Sequence, residues 1–322
     1  MVGANLLKLV HERCAATRGL SLAWPFAGMS VLAIGDFQQL SPVGESPVYK
    51  PPRSGYVGLA ELWMSNFKVI KLTDIMRQQG DTAFADLLSR LRVGRQTSDD
   101  IDTLKSRQIT IKAHDTTYDH HPHIFARNDD VNSYNERRLM SIPGPPVTLN
   151  ARNQWPACCK ERSAVVSEKN TELTLKVGAR VMLMRNVGTD VGLFNGALGV
   201  VTGFLPDLSR VPTAVLVLFD NQQLRKVSAD RHPTMSGSFP VERAEARFSV
   251  RKGNSVVEGK RLQFPLKVAF AMTIHKCQGQ TLNSVVVSLK GRFGPGQAYV
   301  ALRVFLSYSN CWSFAFQRKN KL

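Results

Sequence analysis

The feature that most constrains the fold is a change of pattern between residues 176 and 262. Short apolar runs follow one another there, separated by turn residues: VMLM (181–184), LGVVTGF (198–204), AVLVLF (214–219) and QLRKVS (223–228). That spacing is the signature of a small antiparallel β-barrel. Asp220-Asn221, just ahead of the last run, reads as its hairpin turn. The flanking segments have a different character. Leu6, Leu7, Val10 and Cys14 form one helical stripe, and Met29–Ile34 is an apolar run that ends at Gly35-Asp36. Such a run suits a buried parallel strand whose carboxyl end opens into a polar loop. Phe84, Leu87, Leu88 and Leu91 predict a helix with Asp81 as N-cap and Gly94 as stop, and another follows Asp129 and Asp130. Residues 141–175 read as loop. After the β-runs, VAFAM (268–272), VVVSL (285–289) and a helix around Tyr299–Val304 restore the α/β pattern. The economical description is an all-β piece inserted in an α/β fold.

Charge narrows the function. The 322 residues carry 42 Lys and Arg against 25 Asp and Glu, a formal charge of +17. Ten of those cations lie between Gly259 and Leu322, a stretch with no Asp or Glu at all. A merely soluble surface mixes signs, so a polyanion is the expected partner and a catalytic carboxylate from this stretch is excluded. The five Cys form no C-x-x-C pair, which argues against a disulfide framework and a cysteine zinc site and for a reducing compartment. The longest uncharged stretch, Gly19–Gly35, contains Pro25 and is shorter than the roughly 20 residues a membrane span requires. The start of the chain lacks the layout of a secretory signal. His120, His121 and His123 have no acidic or Cys residue at ligand spacing and read as a solvated turn.

Three segments carry chemistry. GDFQQLSPV (35–43) places Asp36 and Gln39 after the apolar run, where open α/β sheets bind ligands, and Gln39 can both donate and accept a hydrogen bond. LTDIMRQ (72–78) carries Arg77, a candidate for bidentate phosphate contact. TIHKCQGQTL (273–282) sets Thr273, His275 and Lys276 in succession, donors suited to backbone phosphates, followed by Gln278 and the turn-forming Gly279.

In this order and spacing the segments resemble motifs III, IV and V of the petite-integration-frequency (Pif-one type) DNA helicases of superfamily one. RNDDVNSYNERRL (127–139), KVGARVMLMRN (176–186), GLFNGALGVV (192–201) and GQAYVALRV (296–304), the last like motif VI, extend the resemblance across most of the chain. It implies an α/β fold of recombinase-like P-loop motor domains, the first truncated, with the small β-barrel inserted. The division would be 1–70 (remnant of the first motor domain), 71–175 (second motor domain, first part), 176–262 (barrel) and 263–322 (second motor domain, second part). The implied activity is ATP-driven 5′-to-3′ translocation on single-stranded DNA with duplex unwinding, in the nucleus or mitochondrion. Gln39 would read the γ-phosphate, with Asp36 beside it, and Arg77 and Arg303 would stabilise its developing charge. Thr273, His275 and Lys276 would touch DNA, while Gln278 and Gly279 couple that contact to the nucleotide site.

Two departures shape the expectations. No G-x-x-x-x-G-K-[ST] run or acidic pair of the family's kind occurs, so the main elements for ATP and Mg²⁺ are missing and the chain would begin just after motif II. Alone, it would not hydrolyse ATP, and its exposed sheet edge would need a partner: the missing first motor domain or another nucleic-acid protein. The alternative is a non-catalytic protein binding single-stranded nucleic acid. The family also has a Ser between the residues matching Leu302 and Arg303. Its loss turns the helix by about 100° and would direct Arg303 away from the cleft.

Overall fold

A computed structural model of the chain describes residues 2–50, 58–76, 80–109, 116–154, 172–206, 211–231, 237–252, 255–280, 284–289, 296–305 and 311–314, together with 78, 233–235, 282 and 293–294. Arg77 falls outside them. The chain forms two compact units, residues 1–113 with 277–322 and residues 114–276.

In the first unit the opening helix runs Ala4–Arg18 and ends on Gly19, whose φ of +63° lets its N–H reach the carbonyls of Ala15 and Ala16. Leu7 packs with Phe26, Val48 and Leu62 in a small core flanked by Trp63 and Phe67. The helix Thr82–Arg92 follows the sequence pattern: the Asp81 carboxylate accepts from the Phe84 N–H, and Phe84, Leu87 and Leu88 are buried. The helix Ser98–Ser106 starts on a capping box between Thr97 and Asp100. Asp100 is buried and takes two bonds of 2.7 Å from Arg90, which hold its carboxyl well below the usual range. Strand Val285–Val287 pairs in parallel with Cys311–Phe314, and the short helix Gln297–Arg303 buries Val300, Ala301 and Leu302.

The apolar run Met29–Ile34 is not the buried strand its composition predicts. Its backbone joins no ladder among the described residues, and Leu32 and Ile34 are 85% and 86% exposed. An apolar run dictates burial only where a neighbouring strand accepts its N–H and C=O groups.

In the second unit, strand His123–Phe125 pairs in parallel with Ala271–Thr273, and the helix Asn128–Ser141 packs against both. Asn135 fixes this arrangement: its side chain donates to the carbonyls of Val268 and Ala271 and accepts from the Ala271 N–H. His123 does not sit in a solvated turn. It is 4% exposed and lies against Tyr134, with ring centroids 4.3 Å apart, because its alternate neighbours Phe125 and Tyr134 form an apolar wall.

The β-runs build an open five-stranded antiparallel sheet rather than a closed barrel among the described residues. Its order is Leu266–Val268, Arg180–Leu183, Leu198–Pro206, Pro212–Phe219, Phe239–Glu242. One face carries Val181, Leu183, Val201, Val215 and Val217 into the main core. QLRKVS is helical, part of Gln222–Arg231, and Asn221 serves as its cap, accepting from the Gln223 N–H. The buried residues Leu224 and Ser228 are four apart, the spacing of one helix face. Residues 141–175, read as loop, include the paired strands Val147–Asn150 and Glu172–Leu175, and Arg152–Gln154 pairs with the long strand Ser255–Gln263.

Candidate nucleotide cleft and nucleic-acid interface

Within the first unit, a cleft of about 230 Å³ is lined by Gln39, Gln278, Gly279, Val300, Arg303 and Val304. It joins segments far apart in sequence. The Gln278 amide donates to the Gln39 side-chain oxygen at 3.0 Å, and Gln39 in turn donates to the Asp36 carboxylate at 3.2 Å. Asp36 also accepts from Arg92 at 2.9 Å and has the Arg303 guanidinium at 3.8 Å. A carboxylate therefore sits between two guanidinium groups, next to two side-chain amides that can exchange partners. Both cations are partly exposed, at 40% and 34%, so solvent screens the pairs and leaves them exchangeable.

Three residues shape this cleft without having been singled out from sequence. Arg92, in the last turn of the helix Thr82–Arg92, reaches Asp36 across 56 positions. Gln78 is buried and donates to the carbonyl oxygens of Phe305, at 2.7 Å, and Arg303. It thereby fixes the end of the helix that carries Arg303. Gly296 precedes that helix at φ +76°, and a Cβ there would stand 2.7 Å from the carbonyl oxygens of Gln38 and Gln39. Only the glycine combination at 294 and 296 hinted at a special backbone. Arg303 does not turn away from the cleft. It is the last residue of its helix, anchored by Gln78, and its long side chain reaches the cleft from there.

The cleft's donors fit phosphate oxygens. Among the described residues no group of three His, Cys, Asp or Glu side chains stands close enough to hold a metal ion, and Asp36 is engaged by Arg92.

Thr273, His275 and Lys276 belong to the second unit. Thr273 ends a strand in register with Phe125 and is 9% exposed, whereas His275 and Lys276 are exposed on the helical turn Ile274–Cys277. Thr273 and Lys276 line one shallow cleft, of which His275 is not a wall. Cys277 is buried, and desolvation pushes its thiol up to about 12, so it is not a nucleophile.

Known proteins resemble the chain as a whole. The sequence model described as PIF1-like helicase matches residues 6–102, and the DNA helicase Pif1 2B domain matches residues 167–204. The human ATP-dependent DNA helicase PIF1 is 34% identical over 306 residues, 94% of this chain and 43% of that protein. The chain belongs to the Pif1-like helicase family. Pif1 helicase from Candida albicans superposes with a TM-score of 0.73 at 29% identity, covering 99% of this chain and 70% of that one. Bacteroides Pif1 bound to single-stranded DNA gives 0.67 at 26% identity, covering 99% and 69%. The fold is thus the α/β motor fold of Pif1 helicases. This chain spans about two-fifths of the length of the curated relatives it matches, 43%, 40% and 39% of the first three. No helix among the described residues is long and apolar enough to cross a membrane.

Proposed function

We propose that this chain supplies the nucleotide-sensing and strand-gripping parts of an ATP-dependent 5′-to-3′ DNA helicase, acting on single-stranded DNA in the nucleus or mitochondrion. The observation that carries the reading is the Gln278-to-Gln39 hydrogen bond of 3.0 Å beside Arg303. It ties the GDFQQL segment to the TIHKCQGQTL segment. Gln39 senses the terminal phosphate, since an amide can present either a donor or an acceptor as that group changes. Arg303, and Arg77 by resemblance, balance the charge that develops in phosphoryl transfer. Gln278 passes the state of the cleft along the chain to Lys276, two residues away, and to His275 and Thr273, which hold the DNA backbone. The relatives solved with single-stranded DNA support the choice of polyanion.

Phosphoryl transfer also requires a phosphate-binding loop and a metal, and no Walker-type run occurs in the 322 residues. The reading therefore expects DNA-stimulated ATP hydrolysis below detection for this chain, together with measurable binding of a fluorescein-labelled dT oligonucleotide. Replacing both His275 and Lys276 with Ala weakens that binding about tenfold and lowers its salt slope. Robust turnover by residues 1–322 alone, or unaltered DNA affinity in the double variant, overturns the assignment.

A further inference from the structure

The two carboxylate oxygens of Asp36 have different partners. Oδ1 accepts from the Arg92 guanidinium at 2.9 Å and from the Gln38 N–H at 3.1 Å. Oδ2 accepts from the Gln39 amide at 3.2 Å, and the Arg303 guanidinium stands 3.8 Å from it. The first oxygen is pinned, whereas the second meets Arg303 only as an ion pair, beyond hydrogen-bond length. The Asp36 side chain is 15% exposed, less than half the value of either cation, so the acid is shielded while both guanidinium groups keep water. Arg303 lines the cleft with Gln39 and Gln278; Asp36 and Arg92 stand behind that wall. A clamp that merely fixed the 36–39 loop would need one cation. The second cation here is the one that faces the cleft.

A carboxylate offers an arginine what a phosphate offers, a compact anion with more than one acceptor oxygen. A terminal phosphate brings more charge and more oxygens, so it can take Arg303 from a carboxylate oxygen 3.8 Å away. Arg92 decides how readily. Its charge offsets that of Asp36 from the other side and repels Arg303, which leaves a weak attraction across the longer gap. Without Arg92, the full carboxylate charge would fall to Arg303 and the two could close into a bidentate pair. We propose that Asp36 is a built-in competitor for the phosphate site, holding Arg303 until a phosphate group takes its place, and that Arg92 is the positioning residue that keeps this hold weak enough to break. Departure of Arg303 leaves Oδ2 to the Gln39 amide, whose own oxygen accepts from Gln278 at 3.0 Å, so the exchange reaches the TIHKCQGQTL segment. The inference rests on the nucleotide-cleft reading above and adds how that site is regulated.

The test uses the full chain and two readouts: isothermal titration with inorganic pyrophosphate at about 0.15 M salt, and the rate at which phenylglyoxal modifies Arg303, followed by mass spectrometry. Asp36→Asn is expected to tighten pyrophosphate binding about three- to tenfold and to speed modification of Arg303. Arg92→Ala is expected to do the reverse on both counts, and Arg92→Lys to restore most of the loss. In the Asp36→Asn background, Arg92→Ala should have no further effect, because its partner is gone. A loss that persists in that background would mean that Arg92 touches the anion directly and would overturn the proposal. So would weaker binding in Asp36→Asn, or an Arg303 modification rate that neither single variant changes. Those results leave the nucleotide-cleft reading standing as long as Arg303→Ala weakens pyrophosphate binding; unchanged affinity in Arg303→Ala would remove that reading as well.

Discussion

At the scale of single residues, the cleft depends on a position with no side chain. Gly296 combines a left-handed backbone with a close approach to the carbonyls of Gln38 and Gln39. Gly94, just past the helix Thr82–Arg92, offers an internal control: its φ is +69°, but a Cβ there would meet nothing within 4 Å. Alanine at 94 pays only the left-handed strain, about 1 kcal/mol. At 296 it must also push the 36–39 loop away, which would part Gln39 from Gln278. Thermal denaturation should therefore show Gly296→Ala losing about 1–2 kcal/mol more than Gly94→Ala. Equal losses would mean that the loop follows the helix freely and that the close approach fixes nothing.

At the scale of elements, agreement between sequence and structure was greatest where a pattern and its cap coincide. The helix Thr82–Arg92 has both an apolar spacing and Asp81 in capping position. QLRKVS is helical rather than extended because six residues fit a strand as well as a helix, and Asp220-Asn221 serves equally as turn or cap. The cleft was legible in parts: Asp36, Gln39, Gln278, Gly279 and Arg303 come together. Arg92, Gln78 and Gly296 were illegible because each acts on a partner 56 to 258 positions distant, which no local pattern encodes. Met29–Ile34 differs for the opposite reason: its composition is that of a central strand, yet no partner strand among the described residues pairs with it. Residues 67–72 share the condition, with Val69, Ile70 and Leu72 about four-fifths exposed at 81%, 79% and 85%. Extended, unpaired and apolar backbone is a template for association. Leu32→Lys with Ile34→Lys should therefore lower the concentration-dependent light scattering of the chain. Its melting temperature should stay within what a surface change of about 0.5 kcal/mol produces. A large fall in stability would show that these side chains pack in the native chain.

At the scale of the whole molecule, the excess positive charge sets how the fold responds to acid. The chain carries +17 with its seven His neutral, so every proton taken up below neutrality adds repulsion. Most of this load falls on exposed groups, but His123 is buried, and burial pulls its pKa down to about 4 from the ordinary 6.5. Arg138, Arg137 and His121 face it and act in the same direction, while its contact with the Tyr118 carbonyl at 3.3 Å works against them. The unfolded chain thus binds this proton near pH 6.5 and the folded chain only near pH 4. Stability is fully present above 6.5 and is lost as the pH falls towards 4. Between pH 7.5 and pH 5 the loss from this one ring comes to about 2 kcal/mol. Urea titrations followed by circular dichroism should show that fall, and His123→Phe should flatten it by about the same amount. The Phe ring keeps the contact with Tyr134 and shifts the whole curve by a constant for the lost polar contact. If both proteins lost stability in parallel, the acid sensitivity would belong to the surface charge as a whole, and His123 would have to find its proton without unfolding the second unit.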